Sequence, residues 1–271
     1  MALLASRAPD RSTVRPTRLA LYELSYQLRR YRRTWRGSVV VSVVNPLLFL
    51  LAIGVGLGKV VADHPPGLHG ATYLQFFAPG MLAAAAMQNG IIESAFPVSR
   101  AVRPGGSYSV TISTPLASTD IMLGQSLYMA FKLALGAATF VAVMACFGAA
   151  SSWLALLAIP AAVLTGLAFA TPTMAWAATV KNPRVVFGAF KWVVMPLYLF
   201  SGTFFPVVQL PGLLRALAYA TPLWHGVDLC RTLCLGTATW GRTAGHVGYL
   251  LVFTVAGLFL AARTYRRRLY G

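Results

Sequence analysis

The sequence contains very few acidic residues. Of its 271 residues, 6 are Asp or Glu and 23 are Lys or Arg, so that only 11% of the chain is charged. Soluble domains carry charge of both signs at about a quarter of their residues. A hydrophobic content of 57% also excludes a disordered chain, because disordered segments are poor in apolar residues. The composition therefore favours a membrane protein over a globular enzyme, and over a nucleic-acid partner despite the net charge of +17.

Motifs for cofactor chemistry are missing as well. The only Gly-Lys pair, Gly58-Lys59, is followed by Val60, so the chain has no phosphate-binding loop for ATP. It has no HExxH motif, and its three cysteines form no CxxC pair. The sequence therefore predicts no catalytic residue, no cofactor and no metal in this chain.

Two function classes for a membrane protein would depend on single residues of this chain. A membrane hydrolase would need Ser201 as nucleophile and His246 as base, but no nucleophile elbow or GxSG motif surrounds Ser201. An ion-coupled carrier would need ionisable groups at membrane depth, and the candidates are Glu93 and Lys132. Two isolated charges make a poor ion pathway, and the absence of an inverted repeat also argues against a secondary carrier.

Six uncharged stretches are long enough to cross a bilayer, which takes about 20 residues each. Each is expected to be a helix, because only a helix satisfies its own backbone in lipid. Gly148–Ser152 provides the turn between the third and fourth stretches. We predict an all-α polytopic membrane protein whose single transmembrane domain covers residues 37–268. Its spans are predicted at 38–58, 73–97, 121–147, 153–180, 186–205 and 243–263.

The basic residues are distributed unevenly between the two sides of this predicted bundle. The N-terminal segment, loop 98–120, loop 181–191 and the C-terminus hold 18 of the 23, and all four segments lie on one side. Basic residues concentrate in cytoplasmic loops, so both termini are predicted to be cytoplasmic.

The N-terminal segment carries a regular apolar pattern. Residues 1–16 are expected to be a disordered extension. Within residues 17–36, five apolar or aromatic positions follow one another at spacings of 3 and 4: Leu21, Leu24, Leu28, Tyr31 and Trp35. Arg29, Arg30 and Arg33 point away from this stripe. The pattern predicts an amphipathic helix in the cytoplasmic interface that contacts anionic lipid. The alternative is that the segment serves only as a topology signal.

Two connecting segments have unusual composition. Loop 98–120 is basic, with Ser118 or Thr119 expected to cap the next helix and Asp120 at the positive end of that helix. It is either a plain connection or a docking element for a cytoplasmic partner. The segment after residue 200 is apolar, aromatic and rich in proline, which predicts two short re-entrant or interfacial helices between spans five and six. An aromatic belt at the outer interface is a compatible interpretation.

Taken in order, these pieces resemble the ABC type-2 exporter permeases, close to the nodulation-factor (lipo-oligosaccharide) and daunorubicin-type drug export permeases. The resemblance covers roughly residues 20–268. The matching pieces are Phe77-Ala78-Pro79-Gly80, Glu93, Arg103, Tyr108, Thr114-Pro115-Leu116, Ser201-Gly202-Thr203-Phe204-Phe205-Pro206, Leu210-Pro211, Thr221-Pro222-Leu223-Trp224-His225-Gly226 and Arg231.

The resemblance implies partners and residue roles. It implies a second copy of the chain as a homodimer, two copies of a cytoplasmic ABC ATPase that holds ATP and Mg, and a bacterial inner-membrane location. Glu93 is implied as a polar residue of span two. Coupling to the ATPase is implied for Arg100, Arg103, Tyr108, Thr114, Pro115 and Leu116. The outer gate is implied for Phe204, Phe205, Pro206, Pro211 and Pro222.

The predicted function is that of a non-enzymatic permease subunit that exports an amphiphile: a lipid-linked saccharide, a glycolipid or a hydrophobic drug. A path with few charges suits such molecules better than small ions. The alternative is an ATP-independent secondary carrier or channel.

Overall fold

The computed structural model of the chain describes residues 16–52, 72–103, 105–108, 117–180 and 183–270. These ranges contain helices and turns but no strand, which confirms the all-α prediction for the part of the chain they cover. The helices are α1 (Pro16–Leu51), α2 (Tyr73–Ala101), α3 (Ser118–Cys146), α4 (Ala158–Ala177, preceded by a 3-10 turn at Trp153–Leu157), α5 (Pro183–Ala189), α6 (Met195–Phe200), α7 (Gly212–Tyr219), α8 (Pro222–Leu235) and α9 (Trp240–Tyr270). A single π-helical turn, Phe190–Val194, joins α5 to α6.

Three of the described helices are long and apolar enough to cross a membrane. They are Ser118–Cys146, Trp153–Ala177 and Trp240–Leu269, and Val185–Phe200 is a shorter apolar helix. This supports a membrane protein with at least three spans, while six spans remain a prediction. Of the first predicted span, residues 53–58 lie outside the described part of the chain.

Helix α1 is continuous through the predicted boundary between the interfacial helix and the first span. It covers 36 residues and includes Gly37, where we placed the boundary. One glycine inside a helix costs about 1 kcal/mol relative to alanine, which is too little to end a helix of this length. The predicted N-terminal extension lies outside the described residues except for Pro16, the first residue of α1.

The helix starts follow local capping chemistry. At α2, Gln75 donates its backbone N–H to Thr72 Oγ1, and Thr72 donates its N–H to Gln75 Oε1, which is a complete capping box. At α3 the prediction that Ser118 or Thr119 caps the helix is wrong, because both residues lie inside its first turn. The cap position is Ala117, whose N–H donates to Asp120 at 2.9 Å.

Helix α4 lies at the centre of the bundle and packs against α2, α3, α8 and α9. Small residues allow these close crossings. A Cβ on Gly90 of α2 would lie 2.4 Å from the carbonyl oxygen of Gly166 in α4, and one on Gly226 of α8 would lie 2.4 Å from Thr165 Oγ1. Close backbone approach of this kind is the usual basis of helix packing in membranes.

The bundle has two ends, and α2 and α9 reach from one to the other. At one end, Tyr73 of α2 and His246 of α9 meet the segment that contains Pro206, Pro211 and Pro222; we call it the proline-rich end. At the other end, Tyr108 contacts Tyr265 of α9 close to Arg100 and Arg103; we call it the arginine-rich end.

Candidate functional site

At the proline-rich end, Arg231 of α8 connects three parts of the chain. Its Nε donates to the Phe76 carbonyl at 3.2 Å, and its Nη2 donates to the Gly202 carbonyl at 2.9 Å. The guanidinium carbon lies 3.7 Å from the centroid of the Phe76 ring. A Cβ on Gly80 would come within 3.3 Å of Nη2, so this glycine leaves room for the guanidinium. Hydrogen bonds that involve a charged donor are stronger than neutral ones, so Arg231 fixes the segment after α6 against α2.

The predicted gate residues lie at this end but in two different clusters. Phe204 packs between Phe77 and Tyr198, with ring centroids 5.5 and 5.1 Å away, and its carbonyl accepts a hydrogen bond from the Tyr73 hydroxyl at 3.1 Å. Phe205 instead packs on a separate cluster that contains Val207. Gly202, at φ 84°, makes the turn that sends the two rings apart.

The three gate prolines occupy the turns of this end. Pro206 precedes the short 3-10 turn Val207–Gln209, Pro211 precedes α7, and Pro222 is the first residue of α8. Thr221 caps α8 by accepting the Trp224 N–H at 3.3 Å. In this segment the prolines therefore mark where helices start, since proline is favoured at a helix start and disfavoured in a helix interior.

Ser201 and His246 do not form a hydrolytic pair. The Ser201 hydroxyl lies 3.0 Å from Thr203 Oγ1. His246 instead contacts His225, with 2.8 Å between the two Nδ1 atoms, and its Nε2 lies 3.0 Å from Asp228 Oδ2. The nucleophile and the base of the hydrolase alternative therefore bind different partners.

Glu93 and Lys132 form one ion pair between α2 and α3. Both side chains are partly buried, with 31% and 21% exposed. The prediction that they are two isolated charges is therefore wrong. The signal was available in the sequence, because opposite charges on consecutive antiparallel helices can face each other. The pair neutralises two charges that would otherwise be costly within apolar helices.

At the arginine-rich end, the described coupling candidates have different environments. Arg100 is exposed and donates its Nε to the Phe96 carbonyl at 3.2 Å. Arg103 has its Nε and Nη2 buried without a hydrogen-bond partner among the residues that the structure describes. The hydroxyl of Tyr108 lies 3.4 Å from that of Tyr265, and burial raises the pKa of Tyr108 to about 12. The candidates Thr114, Pro115 and Leu116 lie outside the described residues.

The first half of α1 packs against α3 on a face that the sequence did not single out. Glu23 is buried there, and Gln27 donates from Nε2 to Glu23 Oε1 at 3.0 Å and to Gln125 Oε1 at 3.2 Å. Burial raises the pKa of the Glu23 carboxyl, and the hydrogen bond from Gln27 opposes this shift. A Cβ on Gly124 would lie 2.6 Å from Glu23 Cβ, so glycine permits the contact.

The predicted apolar stripe of α1 is only partly covered. Leu24, Leu28 and Tyr31 are half-buried, whereas Leu21 is exposed, and the side chain of Trp35 lies outside the described part of α1. The predicted basic residues of this helix, Arg29, Arg30 and Arg33, are exposed. Tyr31 packs edge-on against Tyr128 and Phe131 of α3. The periodicity therefore identified a helix, while the neighbour of that helix could not be read from spacing.

Comparison with known proteins decides the family. Residues 21–235 match the family described as ABC-2 type transporter. The chain belongs to the ABC-2 type transporter family. Nodulation protein J of Rhizobium leguminosarum bv. trifolii is 33% identical over 246 residues, which cover 89% of this chain and 92% of that protein. Nodulation protein J of Rhizobium meliloti (strain 1021) is 31% identical, with the same two shares.

Membership confirms the resemblance drawn from the motifs and identifies the chain as an integral membrane subunit of an ABC transporter. The matched residues 21–235 include most of α1, all of α2 to α8 and the gate prolines. Members of the ABC-2 family are transport subunits. This agrees with the prediction that the chain is the membrane subunit of an ABC transporter.

Proposed function

We propose that this ABC-2 subunit is the permease of an exporter that moves an amphiphile out of the cytoplasm, driven by a separate ATPase chain. The observation that carries the proposal is the family match over residues 21–235. The sequence supplies a reason for a separate ATPase, because it has no phosphate-binding loop of its own. The working assembly is two copies of this chain with two ATPase subunits, in the inner membrane of a bacterium.

Six spans with both termini in the cytoplasm complete the proposed topology. The arginine-rich end would then face the cytoplasm and the proline-rich end the outside, in line with the uneven distribution of basic residues. The coupling element would comprise Arg100, Arg103, Tyr108 and the segment Thr114-Pro115-Leu116. The outer closure would be the aromatic cluster around Phe204 with the turns around it.

An amphiphilic cargo suits the charges within the bundle. Glu93 is paired with Lys132, and Arg231 donates to backbone carbonyls. The compensation of these charges favours cargo with a long apolar part over small ions.

The deciding experiment is co-expression with a candidate ABC ATPase subunit from the same genome, followed by co-purification and an ATP-dependent transport assay. We expect a stable complex, and transport that requires ATP. Arg103→Ala or Pro115→Ala should weaken the complex or its transport while the permease still inserts, whereas exposed Arg32→Ala should leave both unchanged. Transport that persists without any ATPase would instead favour a secondary carrier.

A double variant tests the proposed outer closure separately. Phe204→Ala with Phe205→Ala should leave assembly intact but alter export or raise leak through the closed state. The matched control is Phe253→Ala with Phe259→Ala, since both of these rings are exposed on α9. Unchanged transport in the first double variant would remove the closure assignment.

A further inference from the structure

A polar cavity of about 490 Å³ opens at the arginine-rich end between α1, α2 and α3. Its size lies within the range of small-molecule sites in proteins, about 300 to 1,000 Å³. Its polar lining comes from all three helices and includes Gln27, Arg30, Glu93, Arg100, Gln125 and Tyr128. None of the roles assigned above requires an enclosed space at this position.

The charge of this lining favours an anion. Neither Arg30 nor Arg100 has a carboxylate partner among the described residues. The carboxylate in the wall, Glu93, is already paired with Lys132. Arg100 uses only its Nε for the Phe96 carbonyl, so its terminal nitrogens remain available on the described part of the chain. Two guanidinium groups on one cavity suit a phosphate, whose oxygens accept paired N–H donors.

A buried amide adds a neutral donor. The side chain of Gln125 is 4% exposed and lines the cavity. Its carbonyl oxygen accepts from Gln27 Nε2 at 3.2 Å, which leaves its NH₂ group as a donor in the wall. An amide NH₂ group that faces a cavity can donate to a phosphate oxygen.

Apolar surface begins directly beside the cavity. Tyr31, which lines it, packs edge-on against Phe131 at 5.8 Å, and the Phe131 ring is 41% exposed. Leu127, one turn earlier on α3, is 44% exposed. Because α3 is one of the helices able to cross a membrane, this surface runs from the polar cavity into the apolar layer. A ligand that follows both surfaces has a polar head and a hydrocarbon tail.

We propose that this cavity binds the phosphate-bearing headgroup of a membrane-anchored amphiphile from the cytoplasmic leaflet. Arg30 and Arg100 hold the phosphate, Gln125 donates to it, and the tail lies along Leu127 and Phe131. The site deepens the proposed function and depends on its orientation in the membrane, but binding itself requires no ATPase.

Binding is measured on the purified full-length chain in detergent by native mass spectrometry, with phosphatidylglycerol as the phosphate-bearing probe and diacylglycerol, which has the same tails but no phosphate, as the comparison lipid. We expect phosphatidylglycerol to bind at least about tenfold more tightly, the factor that corresponds to one lost charge-assisted contact. Arg30→Gln with Arg100→Gln should weaken phosphatidylglycerol binding at least about tenfold on the same basis.

The matched control removes the same charge elsewhere. Arg32→Gln with Arg266→Gln changes two exposed arginines that do not line the cavity, and it should leave the phosphatidylglycerol affinity within about twofold. Equal losses in the two double variants, or equal binding of both lipids by the unaltered chain, would overturn the proposal. The second criterion needs no variant, so a misfolded double variant does not prevent a decision.

Two further probes identify the source of the phosphate. A polyprenyl phosphate that displaces phosphatidylglycerol supports a site for carrier-linked cargo, whereas phosphatidylglycerol that resists displacement supports a site for bilayer lipid. Soluble glycerol phosphate that binds as tightly as phosphatidylglycerol would overturn the requirement for a membrane anchor.

A final experiment tests whether the cavity is needed for binding of the partner ATPase. If Arg30→Gln with Arg100→Gln abolishes co-purification of the ATPase but leaves phosphatidylglycerol binding unchanged, the cavity is a protein-docking surface and the proposal is wrong. Absence of ATP-dependent transport together with normal phosphatidylglycerol binding would overturn the proposed function and leave the cavity assignment intact.

Discussion

At the scale of single residues, Arg231 joins α8, α2 and the segment after α6 through one guanidinium. Arg231 is one of the residues that carry the family resemblance, but the sequence does not show what it contacts, because its acceptors are backbone carbonyls 29 and 155 residues away in the chain. Because every residue has a backbone carbonyl, the types of the acceptor residues do not reveal such contacts. The ion pair of Glu93 and Lys132 differs, since both of its partners are visible as charges in the sequence.

Arg231→Met should destabilise the protein by about 3 kcal/mol or more. It removes two hydrogen bonds from a charged donor, each contributing about 1.5 to 3 kcal/mol. The measurement is thermal unfolding of the purified chain in detergent. Arg242→Met is the matched control: this side chain is 67% exposed and has a 3.4 Å contact with Asp228, so a change below about 0.5 kcal/mol is expected. Similar destabilisation by both changes would contradict the role of Arg231.

Glu93→Gln should cost more on its own than together with Lys132→Met. The single change leaves a partly buried ammonium group without its carboxylate, whereas the double change removes both charges. A double-mutant cycle on thermal unfolding should give a coupling energy above about 1 kcal/mol. Additive effects of the two changes would mean that the contact contributes nothing to stability.

At the scale of helices, local chemistry predicted the described breaks well and the continuity of α1 poorly. Thr221-Pro222 and Gly236 are recognisable helix boundaries, and α8 begins and ends there. The predicted division between residues 36 and 37 lies inside α1, which is continuous there, and the first half of α1 packs on α3. Tertiary contacts of this kind outweigh the cost of one glycine, and spacing along the chain does not report them.

The crossing of α2 and α4 should be intolerant of one added methyl group. A Cβ on Gly166 would lie 2.7 Å from Leu133 Cδ1 and 2.9 Å from the Ala86 carbonyl, so Gly166→Ala should destabilise by about 1 to 3 kcal/mol. Gly136→Ala and Gly248→Ala are controls, since a Cβ at either would meet nothing within 4 Å. Their thermal unfolding should be unchanged or slightly improved. Equal tolerance at all three positions would argue against a tight crossing.

At the scale of the whole molecule, the distribution of basic residues predicts the orientation in the membrane, and the fold places the test positions at opposite ends. Val208 is exposed at the proline-rich end, and Arg266 is exposed near the arginine-rich end. In a Cys146→Ser background, where the remaining cysteines Cys230 and Cys234 are buried, single cysteines can be introduced at these sites.

A membrane-impermeant maleimide applied to intact cells should label Val208→Cys and spare Arg266→Cys. After the cells are permeabilised, both should react. The reverse pattern would invert the orientation and place the basic residues outside. Labelling of both positions in intact cells would mean that the chain does not separate these two sites by the membrane.

Helix α9 extends over 31 residues, which corresponds to about 46 Å of helix. This is slightly more than the thickness of a bilayer with its headgroup regions, about 40 to 45 Å, and the helix is held near both ends. Near its start, His246 contacts His225 of α8, and near its finish Tyr265 contacts Tyr108. A helix is stiff along its axis, so a displacement of Tyr108 that moved α9 along that axis would also shift the histidine contact at the far end. An affinity tag fused directly after Tyr270, the last residue of α9, would therefore load this helix at its Tyr265 end.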